Sequence, residues 1–228
     1  MHEALYDKAS ILAYSNGKPS EAFGDPYRVF DSGRVIARLP GPPFQFMDRV
    51  TKVDAPAWEL APTGWIESEW DVPADAWYFA ANRQVSMPFA VILEAALQPC
   101  GWLAAYCGSA LRSAVDMSFR NLGGKAILHE ELFPGCGTIT ARVRMTKVNE
   151  AGGMIIQDYD MQLLRQGRVV YEGVTTFGFF SKKALAQQVG IRDAGKRKLV
   201  VPDSEMRAAR GWEIARERPI EPDEANVN

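Results

Sequence analysis

The sequence predicts an α+β domain in which one long antiparallel sheet wraps around a single apolar helix. Three observations lead there. Residues 88–108 are apolar on nearly every side, the pattern of a helix that protein surrounds. After Arg120, Ile139, Ala141, Val143 and Met145 alternate with Thr138, Thr140, Arg142 and Arg144, and Tyr159, Met161 and Leu163 alternate with Asp158, Asp160 and Gln162. Period-two alternation with one polar face describes an antiparallel sheet covered on one side. Finally, Gln166-Gly167 reads as a tight turn into a last strand over 169–180.

Taken in order, residues 3–14 have helical spacing, with Ala4, Leu5, Ala9, Ile11 and Leu12 apolar and Asn16-Gly17 as the stop. A loop rich in Gly, Pro and Asp is expected up to Gly33 and a short extended piece over 35–38. Pro40-Gly41-Pro42-Pro43 cannot donate to a sheet ladder and marks a rigid connection. Residues 44–53 lead into the first strand, and 65–72 form the next, broken by Pro73-Ala74-Asp75. Pro88 suits the first turn of the long helix, whereas Pro99 predicts a kink or local break. A β-stretch over 125–132 carries His129. One long antiparallel sheet around one apolar helix is the hotdog architecture. The expected organisation is an N-terminal helix and lead-in loop (1–34), a hotdog domain (35–183) and a charged C-terminal linker or tail (184–228). Within that tail, 204–210 predicts a short helix capped by Ser204 and stopped by Gly211; the remainder is too polar to build a core.

Composition narrows the function. The 228 residues, 47% hydrophobic and 11% aromatic, can fill a sizeable core. A net charge of -2 with scattered Lys and Arg argues against a nucleic-acid surface. Cys100, Cys107 and Cys136 lack metal-type spacing and read as reduced core thiols, so no metal site and a cytoplasmic location are expected. No basic stretch followed by an apolar run opens the chain, so no signal peptide is expected. Residues 87–111 include Glu94, Gln98 and Pro99, which suits a buried helix better than a membrane span.

Particular motifs go further. Leu39-Pro40-x-Pro42 followed by Met47-Asp48-Arg49-Val50, and Ser20-Glu21-Ala22-Phe23-Gly24 before it, resemble the entry region of the FabA-like β-hydroxyacyl carrier-protein dehydratases. Asp75-Ala76-Trp77-Tyr78-Phe79-Ala80-Ala81-Asn82 resembles their catalytic strand-loop, with Asn82 where the family carries its catalytic His. Met87-Pro88, then Glu94 and Gln98, resemble the start of their central helix, where an acid is the second catalytic residue. The wording is most similar to the dehydratase-type domains of polyunsaturated fatty acid and polyketide synthases, through Asn82-Arg83-Gln84-x-Ser86-Met87-Pro88-Phe89, Ala96-Leu97-Gln98-Pro99-Cys100-Gly101-Trp102-Leu103-Ala104 and Phe119-Arg120-Asn121-Leu122-Gly123-Gly124. The resemblance spans roughly residues 10–182. It implies a substrate carried as a thioester on phosphopantetheine, an acyl carrier protein as partner, no separate cofactor, and pairing as a homodimer or with a second hotdog domain.

Dehydration of a β-hydroxyacyl thioester removes an α-proton and expels hydroxide, so it needs a base, an acid and a donor for the thioester oxygen. Asn82 does not titrate and only exchanges hydrogen bonds. Glu94, a carboxyl in an apolar helix, must be paired, neutral or beside a cavity. Gln98 lies one turn on, on the same face, where the pair is able to hold a water. The residue types leave open whether Glu94 acts in chemistry or is tied to Asn82, Arg83 or a backbone donor. Phe89 replaces the Gly usual in the family after Met-Pro; its N–H is a candidate for the thioester oxygen, and Met87 for the acyl chain. Arg83 is a candidate phosphopantetheine contact or a plain surface Arg. His2 is terminal, and His129 reads as solvated beside Glu130 and Glu131. Three functions follow: a dehydratase-family domain with an altered catalytic pair, a non-catalytic structural hotdog half, and an acyl-thioester hydrolase using Asn82 and Glu94.

Overall fold

The computed structural model describes residues 3–81, 83, 85–186, 190, 193–197 and 201–208. They belong to two units, Met1–Gln188 and Val189–Asn228. The larger unit opens with α1 (Lys8–Asn16), α2 (Pro19–Phe23), a 3-10 turn (Asp25–Tyr27) and α3 (Val29–Ser32). Strands β1 (Arg49–Asp54) and β2 (Trp65–Asp71) precede α4 (Trp77–Ala81) and α5 (Phe89–Tyr106). After a second 3-10 turn (Ser109–Arg112) come β3 (Met117–Leu128), β4 (Thr138–Ala151), β5 (Met154–Arg165), β6 (Arg168–Ser181) and α6 (Lys182–Ala186). The smaller unit contains α7 (Ala194–Arg197) and α8 (Asp203–Ala208).

All six strands form one antiparallel sheet in the order β1-β2-β4-β5-β6-β3. Alternation sorts its faces as expected. Across one register, Ile66, Val143 and Met161 are buried; one residue along, Glu67, Arg142, Gln162 and Glu172 face the other way. The β5–β6 connection is the predicted two-residue turn. Gln166 and Gly167 both have positive φ (50° and 80°), the geometry whose twist matches a hairpin. Gly152 and Gly153 make the same kind of turn between β4 and β5.

The buried face of the sheet packs on α5, which contributes Val91, Ile92, Ala95, Ala96, Trp102 and Leu103 to the core. By length and composition α5 would also pass for a membrane span, but most of it is buried in this protein. Beyond its end, the buried Gln157 donates to Ser109 Oγ at 2.7 Å and accepts from the Tyr159 hydroxyl at 2.8 Å, so three interior polar groups satisfy one another. The three cysteines are buried and unpaired.

The structure corrects several expectations. The first helix starts at Lys8 rather than near residue 3, because the Asp7 carboxylate caps it by accepting the Ser10 N–H at 2.9 Å. The lead-in to Gly33 is helical rather than loop. Pro19 opens α2, and Ala22, Phe23, Tyr27 and Phe30 recur at near-helical spacing and enter the core. Gly24, at φ 83°, divides this helical run without preventing it. Residues 35–38 join no strand. Residues 77–81, expected as strand-loop, form α4. The helix runs unbroken through Pro99, whose ring is buried; packing offsets the one missing donor. In the smaller unit α8 begins at Asp203, one residue before the expected cap, while Arg210 and Gly211 lie outside the described residues.

Ile92 has no exposed surface and sits in the first half of α5. Ile92→Ala is expected to cost about 2–5 kcal/mol in urea unfolding. A loss near zero would mean that α5 is not enclosed as described.

Candidate active site

Four residues of α5, Glu94, Leu97, Gln98 and Gly101, fall at i, i+3, i+4 and i+7 and so share one face. That face borders a cavity of about 160 Å³. Leu39 and Pro40 form another wall, and Phe119, Phe177 and Phe179 of β3 and β6 a third. Aromatic contacts hold that last wall together: the Phe119 ring lies 4.7 Å from Phe177 and 5.4 Å from Phe179. A larger open groove of about 660 Å³ crosses the outer face of the sheet. Its central carboxylate, Glu67, is already bonded to Lys52 at 3.0 Å and Arg142 at 2.7 Å, which makes it a self-neutralised face and not the candidate site.

Gln98 is the fixed point of the cavity. Its side chain is buried; Oε1 accepts the Phe46 N–H at 2.7 Å, and Nε2 donates to the Phe44 carbonyl at 2.8 Å. The same Nε2 donates to Glu94 Oε1 at 3.1 Å. The pair is bonded directly, and Gln98 ties the segment after the Pro cluster to α5. Glu94 is half-buried. Desolvation pushes its carboxyl above the usual range, opposed in part by the hydrogen bond from Gln98. A carboxyl biased toward its neutral form beside an apolar cavity is suited to donating a proton.

Glu94 and Gln98 are thus brought together, whereas the cavity lining does not include Met87, Phe89 or Arg83. Met87 is buried ahead of α5, its N–H donating to the Leu132 carbonyl at 2.6 Å. Phe89 is the first residue of α5; its ring is partly exposed and 6.0 Å from that of Tyr171. Arg83 is exposed at φ 53°. Asn82, Gln84 and His2 lie outside the described residues. His129 is on the surface with Nε2 3.0 Å from Glu172 Oε1. No cluster of three His, Cys, Asp or Glu residues fit to hold a metal occurs among the described residues.

Three polar residues of the cavity were not found from the sequence. Tyr14 is buried, its hydroxyl donating to the Ala37 carbonyl at 2.7 Å, and burial pushes its phenol well above the usual range. Arg38 Nη1 donates to the Tyr14 and Gly17 carbonyls at 2.8 and 2.9 Å, at the end of α1. Asn121 Oδ1 accepts the Gly123 N–H at 2.8 Å beside an irregularity in the β3–β6 register. Only the fold brings these residues to α5.

The six-stranded antiparallel sheet around a central apolar helix is the hotdog fold. The FabA-like domain family matches residues 39–174, more than half of the sequence, and the chain belongs to that family. It is 30% identical over 199 residues to a polyunsaturated fatty acid synthase subunit of Thraustochytrium sp. (strain ATCC 26185 / S-3). That match takes in 82% of this chain but only 13% of the relative's length. Among solved structures, the dehydratase heterocomplex ApeI:P from Xenorhabdus doucetiae is similar, with a TM-score of 0.50 at 14% identity over 66% of this chain and 93% of that one. A mutant of the fluoroacetyl-CoA-specific thioesterase FlK has a TM-score of 0.42 at 8% identity over 61% of this chain and 98% of its own.

The raised Glu94 carboxyl has a testable sign. Below the unfolded value the group is protonated in both states and carries no penalty. As pH rises through the folded value, the unfolded chain has already lost the proton, and stability falls. Glu94→Gln keeps an oxygen for Gln98 and removes the titration. Its thermal midpoint is expected to gain on the wild type as pH rises from the acid to the neutral range. An offset that is constant with pH would show that Glu94 ionises as readily folded as unfolded.

Proposed function

We propose that this chain is a dehydratase-family unit for carrier-protein-bound β-hydroxyacyl thioesters that works beside a second hotdog unit. The observation that carries the reading is the half-buried Glu94, its carboxyl raised, on the wall of an apolar cavity in a FabA-like domain. In the forward reaction the α-proton passes to a base, the electron pair forms the C=C bond, and the β-hydroxyl leaves as water with a proton from Glu94. Asn82 cannot accept the α-proton. The base therefore comes from the paired unit, and this chain supplies the acid, the cavity and the carrier-protein contact. Arg83, exposed next to Asn82, is suited to the phosphate of the phosphopantetheine arm, and the N–H groups at the start of α5 to the thioester oxygen. Family likeness to the Thraustochytrium synthase supports a role in polyunsaturated fatty acid or polyketide synthesis.

The edge strand supports the pairing. β3 is bonded on one side only, to β6, and nearly all of its residues are at least partly exposed, Phe119, Leu122 and Ile127 among them. An edge strand of 12 residues with exposed apolar side chains is a ready template for another strand. A second copy of this chain or a His-bearing hotdog unit fits that edge.

Purified alone, the chain is expected to hydrate crotonyl thioesters weakly or not at all, and Asn82→His to raise the rate by about 10²-fold or more. Wild-type turnover equal to that variant would refute the missing-base account; equal hydrolysis of saturated acyl thioesters would favour the hydrolase reading. In sedimentation, the chain is expected to self-associate or to join a His-bearing hotdog unit, and Ile127→Lys on β3 to weaken that association. A monomer that ignores such a unit at high concentration would remove the pairing.

A further inference from the structure

The two edges of the sheet are built differently. β3 stands at one end of the strand order and β1 at the other. β3 is 12 residues long, and among the described residues no strand bonds to its free side. β1 has six residues, and its free side is occupied. Tyr6 forms an antiparallel bridge to Val50 there. The Leu5 and Tyr6 N–H groups donate to the Val50 carbonyl at 2.9 and 3.2 Å, and the Val50 N–H donates to the Tyr6 carbonyl at 2.9 Å. Both backbone groups that Val50 would offer to a foreign strand are therefore taken.

The bridge is short, but it is anchored. The Tyr6 ring stands edge-on to Trp102 of α5 at 4.8 Å and to Tyr106 at 6.1 Å. Lys8, two residues on, donates from Nζ to the Met47 carbonyl at 3.2 Å and to Asp48 at 2.5 Å, just before β1. Beyond Val50 the edge is a poor template on its own account. Its register with β2 is irregular between Val50 and Lys52, and a bulge twists an edge away from a flat partner. Lys52 and Asp54 bring charge to the remainder. β3 has an irregularity too, between Asn121 and Gly123, yet residues 117–121 and 123–128 stay in regular register on either side of it.

Which edges are open decides how far an assembly grows. A unit with two open edges joins β3 of one copy to β1 of the next, a head-to-tail contact that builds rings or filaments. A unit with one open edge uses that edge once and stops. We infer that Leu5 and Tyr6 seal the β1 edge against the β3 edge of another copy, and so limit assembly to two units joined through β3. The inference rests on the β3 pairing proposed above and adds its limit.

The test compares the full chain with a variant lacking residues 1–6, which keeps Asp7 as the cap of α1. In sedimentation velocity the full chain is expected to stop at two units at every concentration. The deletion is expected to form larger species that grow with concentration, and Ile127→Lys on β3 to remove them. In hydrogen exchange the Val50 amide is expected to be protected in the full chain and to exchange about tenfold faster after the deletion. Species beyond two units in the full chain, or a Val50 amide that the deletion does not release, overturn the seal while leaving the β3 pairing intact. So does a deletion that never exceeds two units, or larger species that persist with Ile127→Lys, since these would come from general stickiness and not from paired edges. Absence of association in every chain overturns both readings. Far-UV circular dichroism and the thermal midpoint show whether the deletion folds. If it does not, Tyr6→Ala, which frees the strap from Trp102 but keeps its backbone, carries the same comparison.

Discussion

A helix that is apolar all round cannot leave any face in water, and the rest of this protein follows from that constraint. α5 carries buried residues along nearly its whole length. A flat sheet covers one side of a helix. The remaining surface is taken by the curved six-stranded sheet and by the N-terminal segment, whose Phe23, Tyr27, Leu39 and Phe46 belong to the same core as Trp102. The side chain of Tyr27 bonds to the Ala105 carbonyl, and the Phe23 and Trp102 rings lie 5.3 Å apart. The N-terminal helices are thus part of the enclosure and not an appendage to it.

The same constraint makes polar groups on α5 informative. Gln98 is tolerated because its oxygen and both of its N–H donors have partners, two of them backbone groups of the segment after the Pro cluster. Glu94 is tolerated because it borders a cavity and accepts a hydrogen bond from Gln98, while desolvation raises its carboxyl above the usual range. One residue is anchored by its surroundings and the other is held in readiness by it, one helical turn away. Pre-organisation of this kind fixes the side chain on the cavity wall before any ligand arrives.

How much could be read in advance depended on whether the signal was local. Alternation at Thr138–Ala151 and Met154–Arg165 revealed β4 and β5 because side-chain period is a property of the strand itself. Glu94 and Gln98 stood out as polar residues in an apolar run. The N-terminal helices were hidden, since Gly24 and Pro26 interrupt a pattern that Ala22, Phe23, Tyr27 and Phe30 continue across the breaks. Residues 77–81 share their wording with a strand-loop, yet they close into a helical turn. Tyr14, Arg38 and Asn121 could not be found at all: each reaches the cavity from a distant part of the chain, and each is ordinary in its own neighbourhood.

The strand order has a consequence for how the chain is made. β3 is synthesised before β4, β5 and β6, yet among the described residues its sole neighbour in the sheet is β6, the last of the described strands. During translation from the N-terminus it must therefore wait unpaired while two complete hairpins form. Such non-local pairing is intrinsically slow and leaves an edge exposed in the interval. A ribosome-stalled or truncated chain that ends before Arg168 would contain every residue on the α5 side of the cavity and still lack the strand that secures Phe119 and Asn121. The cavity is complete only once β6, which carries Phe177 and Phe179, has been added.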